Sequence, residues 1–343
     1  MTLRLAQIGC GEIGDWRARA ADRSSAVRLV LACDVSQARA RCLGERYRAG
    51  WTTEWRDAVT RPDVDAVVLS TLNDTHHAIG LAALGAGKHL VVEKPLARTP
   101  EECRELVECA RANGVRLMTG FNHRRYPPFA RARAMLSAGA IGQLLFVRGR
   151  IGHPGGSEVV GTWHTDRAIT GGGTLMDNGV HLLDLVRFYV GEVESVHGLT
   201  ASARWAAPGS GIEDVALATF RARGGVHVTL TSTWIEWPGY VVTVELYGAE
   251  GYLRAHYPPL KLVHKQRSGR ARTAWFPLAQ VKEKLFSYRW PGIRAFQADF
   301  EEFAAAVRDG RDPSPSGVDG LRAVEMAYGV YRSAEARTEV PLP

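Results

Sequence analysis

Asp177, His181 and Asp184 stand at positions i, i+4 and i+7 of the stretch GGGTLMDNGVHLLDLV, residues 171–186, which is otherwise almost wholly apolar. On an α-helix this spacing predicts one polar stripe between apolar flanks. Two acids and a histidine buried together are costly unless they are paired or used. An imidazole titrates near neutral pH and suits a general base, with a carboxylate beside it to orient it. Histidine and aspartate four residues apart also suit zinc. No third or fourth ligand is apparent nearby, so no metal is expected.

A second chemical signal is IGCGEIG, which sets Gly9, Gly11 and Gly14 in the order G-x-G-x-x-G after an apolar run. Glycines so placed allow a tight turn and close approach of backbone to a pyrophosphate, at the N-terminus of the helix that opens at Glu12 and Ile13. Asp34 lies 20 residues beyond Gly14, where a carboxylate accepts hydrogen bonds from an adenosine ribose and repels a 2′-phosphate. NAD is therefore expected over NADP, with Arg39 placed to lie beside the adenine or to pair with a phosphate. Lys94, in Glu93-Lys94-Pro95, closes a later apolar run and points to the carboxyl edge of a sheet. Thr71, Asn73 and His76 follow another such run.

The elements that must position these groups fall into two kinds. Apolar runs at 3–8, 29–33, 66–70, 89–93 and 115–119 alternate with helical patterns such as PEECRELVECARANG. Short, fully apolar strands separated by helices predict a parallel sheet covered on both faces. Beyond Asn122 the pattern changes to period 2, in VHVTLTSTW (226–234) and YVVTVELYG (240–248), which predicts antiparallel strands with one buried face. The expected fold is α/β: a Rossmann domain over residues 1–122, then an α+β domain with a large, open, mostly antiparallel sheet over residues 123–343. Helices at 294–309 and 319–335 could pack back on the first domain.

Composition excludes several classes. The net charge of +7 comes from 43 basic residues, but 37 of them are arginines spread along the chain with no basic stripe or recognition module. No nucleic-acid partner is expected. No apolar run approaches the ~18 residues that span a bilayer, and strand-like sequence begins at Leu3, so no membrane or secretory segment is expected and the protein reads as cytoplasmic. The five cysteines, Cys10, Cys33, Cys42, Cys103 and Cys109, fit no metal-binding spacing and read as small packing residues.

Taken in order, G-x-G-x-x-G, Asn73-x-x-His76, Gly87-Lys88-His89, Glu93-Lys94-Pro95, GFNHRR (120–125) and GGGTLMDNGVHLLD resemble the Gfo/Idh/MocA oxidoreductases over essentially the whole chain. Leu72 stands where that family usually has proline, and Arg17 where histidine is common. The resemblance implies that Lys94 is the active-site lysine and that Asp177 and His181 are its D-x-x-x-H pair. It places Asn122 near the nicotinamide, and Trp163, His164 and Tyr288 as cofactor contacts from the second domain. With Thr71, Asn73, His76 and Glu93 they complete the expected cofactor set, and Gly171–Gly173 are expected to let the chain approach the cofactor. Arg124, Tyr126, His153, Trp163, Asn178, Asp177, His181 and Lys94 are the expected substrate contacts.

The implied activity is NAD-dependent hydride transfer to or from a secondary hydroxyl of a sugar, sugar derivative or cyclitol. His181 takes the hydroxyl proton, Lys94 stabilises negative charge on the oxygen, and Asp177 orients the pair. Asp184 is expected to anchor the helix. Two alternatives use the same parts: epimerisation or elimination through transient oxidation, with NAD regenerated each cycle, and a catalytically silent NAD-binding regulator. The mildly polar face of strands 226–234 and 240–247 is expected to support a homodimer or homotetramer.

Overall fold

The apolar runs of the first third become strands that pair only with one another. In the computed structural model, which describes residues 2–207, 209–277 and 290–343, β1 (Leu3–Ile8), β2 (Val27–Cys33), β3 (Gly50–Thr52), β4 (Ala66–Leu69), β5 (His89–Val92) and β6 (Leu117–Thr119) form one sheet in the order β3-β2-β1-β4-β5-β6. Every pairing is parallel. All four residues of β4 are buried, as a strand covered on both faces must be. The short edge strand β3, two of its three residues exposed, gave no apolar signal in the sequence.

Helices α1 (Glu12–Asp22), α2 (Gln37–Tyr47), α3 (Trp55–Thr60), α4 (Asn73–Gly85) and α5 (Pro100–Ala112) connect these strands. The strand order reverses between β1 and β4, which in doubly wound sheets opens the ligand crevice at the strands' carboxyl ends. A further helix, α9 (Trp290–Asp309), belongs with this unit: its Phe296, Phe300 and Phe303 share a core with Leu5, Val68, Val91 and Met118. The unit therefore comprises residues 2–122 and 290–321, so the second domain expected over 123–343 is interrupted.

The other unit, residues 123–277 and 322–343, is built on a nine-stranded sheet. Its strands are β7 (Leu144–Gly152), β8 (Val193–Ala201), β9 (Val215–Ala222), β10 (His227–Thr233), β11 (Val241–Gly248), β12 (Gly251–Tyr257), β13 (Lys261–Gln266), β14 (Arg272–Trp275) and β15 (Val340–Pro341), ordered β14-β13-β12-β11-β7-β10-β9-β8-β15. Only β7 and β10 pair in parallel; the other pairings are antiparallel. One face is apolar, with Val147, Ile151, Val228, Leu230, Val242, Val244 and Leu246 buried. It is lined by α6 (Pro127–Ser137), α8 (Val180–Val190) and the end of α10 (Gly317–Ala336). The opposite face presents Arg148, Arg150, Thr229, Thr231, Thr243 and Glu245 at alternate positions. A four-residue helix, α7 (Arg167–Thr170), precedes the glycine run.

Candidate functional site

In the first unit the glycine loop is shaped by what lies behind it. Gly9 has φ +88°, and a Cβ there would sit 2.3 Å from the Ser70 carbonyl oxygen; at Gly14 it would meet the Gly9 oxygen at 2.0 Å. Gly11, the N-cap of α1, has open space where its Cβ would be, and no side chain caps the helix. Backbone amides thus face a space suited to an anion, at the positive end of an eleven-residue helix. Asp15, in the first turn, is neutralised by Arg19 and Arg46 and does not oppose a phosphate.

Asp34 ends β2 and is buried, with Oδ2 accepting from the Cys10 amide at 2.7 Å and Oδ1 from the Ser36 amide at 2.8 Å. It braces the glycine loop, and each oxygen keeps a second lone pair for a ribose hydroxyl. These features fit a dinucleotide. Burial, then the Asp34 charge, pushes the Cys10 and Cys33 thiols up to about 12. Both are inert packing groups, whereas Cys42 is exposed, contrary to the expectation for it. Arg39 is exposed on α2, while Glu12 and Ile13 are exposed at the start of α1.

The loops after β4 and β5 are tied together from inside. His76 is fully buried, its Nδ1 3.0 Å from the Pro95 carbonyl and its Nε2 3.3 Å from that of Thr71. Burial holds its pKa below the ordinary histidine value, against the pull of those two carbonyls, so the ring is neutral. As a neutral ring it donates to only one of the two carbonyls; lying fully buried between the loops, it is not open to a ligand, which corrects its expected role as a cofactor contact. Glu93 is similarly turned inward: Arg17 Nε donates to it at 2.6 Å, and Arg17 also reaches Asp299 of α9 at 3.5 Å. Arg17 and Asp299 are wholly buried, with the guanidinium 3.9 Å from the Phe296 ring centroid. A cation so buried needs both carboxylates. Arginine at position 17 is explained by Asp299, which no sequence signal had marked. Lys94, half-buried, follows β5 at a cis bond to Pro95; Thr71 contacts Thr75, and Asn73 and Asn122 are buried.

In the second unit the polar stripe is not laid out on a regular α-helix. Leu175–Gly179 form a π turn, and α8 begins only at Val180. The extra residue per turn rotates Asp177 relative to the groups beyond it. Asp177 Oδ2 accepts from Asn178 Nδ2 at 3.0 Å and from Trp234 Nε1 at 3.3 Å, with His153 Nε2 at 3.7 Å. His181 instead faces His123, the ring centroids 4.0 Å apart. His123 Nε2 lies 3.3 Å from the Tyr240 hydroxyl. Enclosure, then the charges of Tyr126 and Asp177, holds the Tyr240 phenol well above its ordinary value. His123 and Tyr240 were missed by sequence reasoning, although His123 stands in the quoted GFNHRR.

Asp184 is claimed by Arg124, whose Nε and Nη2 donate at 2.8 and 2.6 Å in a buried two-pronged pair. Arg124 thus anchors α8 and does not serve as the expected substrate contact. Tyr126 is likewise buried, its ring against His123 and Tyr257. Trp163 and His164 stack on each other at 3.8 Å, the tryptophan partly exposed. Tyr288 lies outside the described residues.

The glycine run serves packing, contrary to its expected use in approaching a cofactor. A Cβ on Gly172 would meet the Tyr331 hydroxyl at 2.2 Å, and one on Gly173 the Glu213 carbonyl oxygen at 1.9 Å. The Glu213 carboxylate accepts from Gly173 N (2.9 Å), Leu175 N (2.8 Å) and Tyr331 Oη (3.0 Å). Burial raises its pKa, and these hydrogen bonds oppose the rise. Glu213, like Asp299, His123 and Tyr240, was not marked by the sequence. Among the described residues no three histidines, cysteines or carboxylates are placed to hold a metal, and no helix is long and apolar enough to cross a membrane.

Comparison with known proteins follows the same division. Residues 3–121 match the family described as oxidoreductases with an NAD-binding Rossmann fold, and residues 129–254 match the GFO/IDH/MocA C-terminal domain. An inositol 2-dehydrogenase of Acidothermus cellulolyticus is 31% identical, covering 99% of this chain and 94% of its own. A levoglucosan dehydrogenase of Pseudarthrobacter phenanthrenivorans is 27% identical over 85% of this chain and 83% of its own. The solved structure of a levoglucosan dehydrogenase in complex with NADH and levoglucosan covers both chains completely at TM-score 0.89 and 24% identity, which shows the fold.

Proposed function

The chain belongs to the Gfo/Idh/MocA family of NAD-binding oxidoreductases, and from that premise we propose that it transfers a hydride between nicotinamide and a secondary hydroxyl or ketone carbon of a cyclic polyol, sugar or sugar derivative. The observation that carries the reading is the π turn, which seats Asp177 among Trp234, Asn178 and His153 just ahead of His181. A carboxylate with an amide and an imidazole gathered beside it suits a ring bearing several hydroxyls. Relatives over nearly the full length are named for inositol and levoglucosan, both polyhydroxylated rings.

The dinucleotide would be held by the amides of the Gly9–Gly14 loop and by Asp34, which favours NAD over NADP through its charge. When bound, the nicotinamide supplies the hydride acceptor or donor. An imidazole nitrogen of His181 takes the hydroxyl proton, Asp177 orients the substrate, and the Lys94 ammonium stabilises negative charge on the same oxygen. Asn178 and His153 contact neighbouring hydroxyls, and Trp163 and His164 border the cofactor. The cytoplasm, where NAD is at hand and thiols stay reduced, is the proposed location. Self-association is proposed through the open face of the nine-stranded sheet, where exposed Leu199 and Leu217 pair across β8 and β9.

The test is NADH formation across a panel of cyclitols, anhydrosugars and free sugars. With an active substrate, Lys94→Ala and His181→Ala should each lower turnover by roughly 10²-fold or more. The double variant should lose less than the product, because the two groups serve one oxygen. His181→Ala should keep its affinity for NADH in a fluorescence titration. Full turnover in both single variants would exclude this assignment of the chemistry, and product without NADH release would make the net reaction redox-neutral.

A further inference from the structure

Asp214, just ahead of β9, is wholly buried and belongs to neither the dinucleotide set nor the polyol set. Its carboxylate gathers four successive main-chain amides. Ala203 N donates to Oδ1 at 2.7 Å, while Arg204, Trp205 and Ala206 N donate to Oδ2 at 2.7, 2.6 and 3.3 Å. Burial opposes ionisation of this carboxyl, but the four amides outweigh burial and hold its pKa below the ordinary aspartate range. Asp214 is therefore an anion at neutral pH, with the segment 203–206 wrapped around it.

What this wrapping fixes is Trp205. A Cβ on Gly155 would meet Trp205 Nε1 at 2.3 Å, so the indole lies against bare backbone. Nε1 donates to the Trp234 carbonyl at 2.8 Å, and the Trp234 amide donates to the Asp214 carbonyl at 2.9 Å. Both main-chain polar groups of Trp234 are thus held by Asp214 and by the segment it organises. The Trp234 indole in turn donates to Asp177 Oδ2 at 3.3 Å. Gly155 adds a second link. Its amide donates to His153 Nδ1 at 3.1 Å, which sets the proton of the neutral ring on Nε2, 3.7 Å from the same Asp177 oxygen.

This polar chain crosses an apolar cluster of Val159, Ala206, Ile212 and Trp234. Hydrogen bonds are stronger in such surroundings, and an unmade one is more costly there than in water. We propose that Asp214 is a positioning residue for Asp177. Through Trp205 and Trp234 it sets the direction of a donor on Asp177 Oδ2, and so the direction in which that carboxylate meets a polyol hydroxyl. The inference rests on the reading of Asp177 as the group that orients the substrate. Two adjacent carboxylates then divide the task. Glu213 holds the turn that carries Asp177, through Gly173 N and Leu175 N, and Asp214 holds the indole that Asp177 accepts from.

The first readout needs no substrate. In heteronuclear NMR of the full chain, isotope-labelled at its tryptophan nitrogens, the Trp234 indole signal is identified by its loss in Trp234→Phe. Asp177→Asn should shift that signal, because the acceptor loses its charge. Asp214→Asn sets an N–H₂ against amides that need acceptors, and Trp205→Phe keeps a ring but removes its donor. Each should shift the same signal. The second readout is turnover of a polyol that supports NADH formation. Both variants should lower kcat/KM about tenfold, the loss of one hydrogen bond at the site, with NADH affinity unchanged. In the Trp234→Phe background, Asp214→Asn should cost less than about twofold more, since the path is already cut. Ser333→Ala loses buried hydrogen bonds to Gly198 N and the Thr338 carbonyl in the same unit. It should lower stability and leave both readouts unchanged, which separates positioning from destabilisation. The proposal fails if the Trp234 signal stays in place in Asp214→Asn and Trp205→Phe, or if the Asp214→Asn loss persists in full in the Trp234→Phe background. Where Asp214→Asn does not fold, Trp205→Phe decides alone. A signal that shifts as expected while Asp177→Asn keeps full turnover supports the chain from Asp214 to Asp177 and overturns the role of Asp177 in the reaction.

Discussion

Gly9, Gly11 and Gly14 in the first unit and Gly171–Gly173 in the second both stand just ahead of a helix, and the sequence treats them alike. Their surroundings are opposite. A side chain at Gly11 would enter open space, whereas one at Gly173 would overlap the main chain of Glu213. The first loop leaves its amides outward, where an anion can reach them; the second has its amides already taken by the Glu213 carboxylate. A glycine ahead of a helix therefore marks a ligand site only where the missing Cβ faces emptiness. Elsewhere it records that two pieces of backbone touch.

The widest break between the two loops should come from Gly173→Ala. The added methyl lies 1.9 Å from the carbonyl oxygen of Glu213, whose carboxylate is itself held by the amides of Gly173 and Leu175. Neither partner can withdraw without losing buried hydrogen bonds. A destabilisation of about 3 kcal/mol, the upper end of overpacking costs, is expected in denaturant unfolding. Stability within ~0.5 kcal/mol of the parent would mean that the contact relaxes freely and that the comparison is unsound.

Gly11→Ala should do the reverse. Its φ of −71° suits alanine and nothing lies within 4 Å, so stability should hold. The methyl would stand where a pyrophosphate must approach the amides, and NADH affinity should fall roughly tenfold, about 1.4 kcal/mol. Fluorescence titration decides it: unchanged affinity would place the dinucleotide elsewhere.

What was legible in the sequence follows from how far each signal reaches. Strands such as AVVL announce themselves because a sheet covered on both faces needs unbroken apolar runs. Asp34 and the glycine loop were legible because they lie within one β-α-β stretch. Arg17 was legible only as an oddity, since Asp299, which explains it, is 282 positions away and joins the unit through α9. Arg124 and Asp184 looked like a substrate contact and an isolated anchor until their pairing removed the first role. The stripe of Asp177 and His181 was read at a period of 3.6, which the π turn breaks. Periodicity carries no warning of such a turn, and Glu213, whose carboxylate accepts from Gly173 N and Leu175 N, is at least 38 positions away.

The smallest expected effect concerns the histidines, which also divide between the units. His181 sits beside His123 in a polar stripe, whereas His76 is sealed between the carbonyls of Thr71 and Pro95. Burial lowers the His76 pKa in the folded chain below the ~6.5 of an exposed histidine. As the pH falls through that value, the unfolded chain takes up a proton that the folded chain refuses. Folding stability supplied by the neutral ring is therefore complete above pH ~6.5 and declines below it, by at most ~1.4 kcal/mol per pH unit until the folded value is reached. His76→Gln keeps a donor between the two loops and removes the titration. Unfolding measured from pH 8 down to pH 5 should give the variant a shallower acid slope than the parent, together with a small loss of stability at pH 8. Equal slopes would mean that His76 does not stay neutral in the folded chain, and that the two loops are held by something other than a buried, uncharged ring.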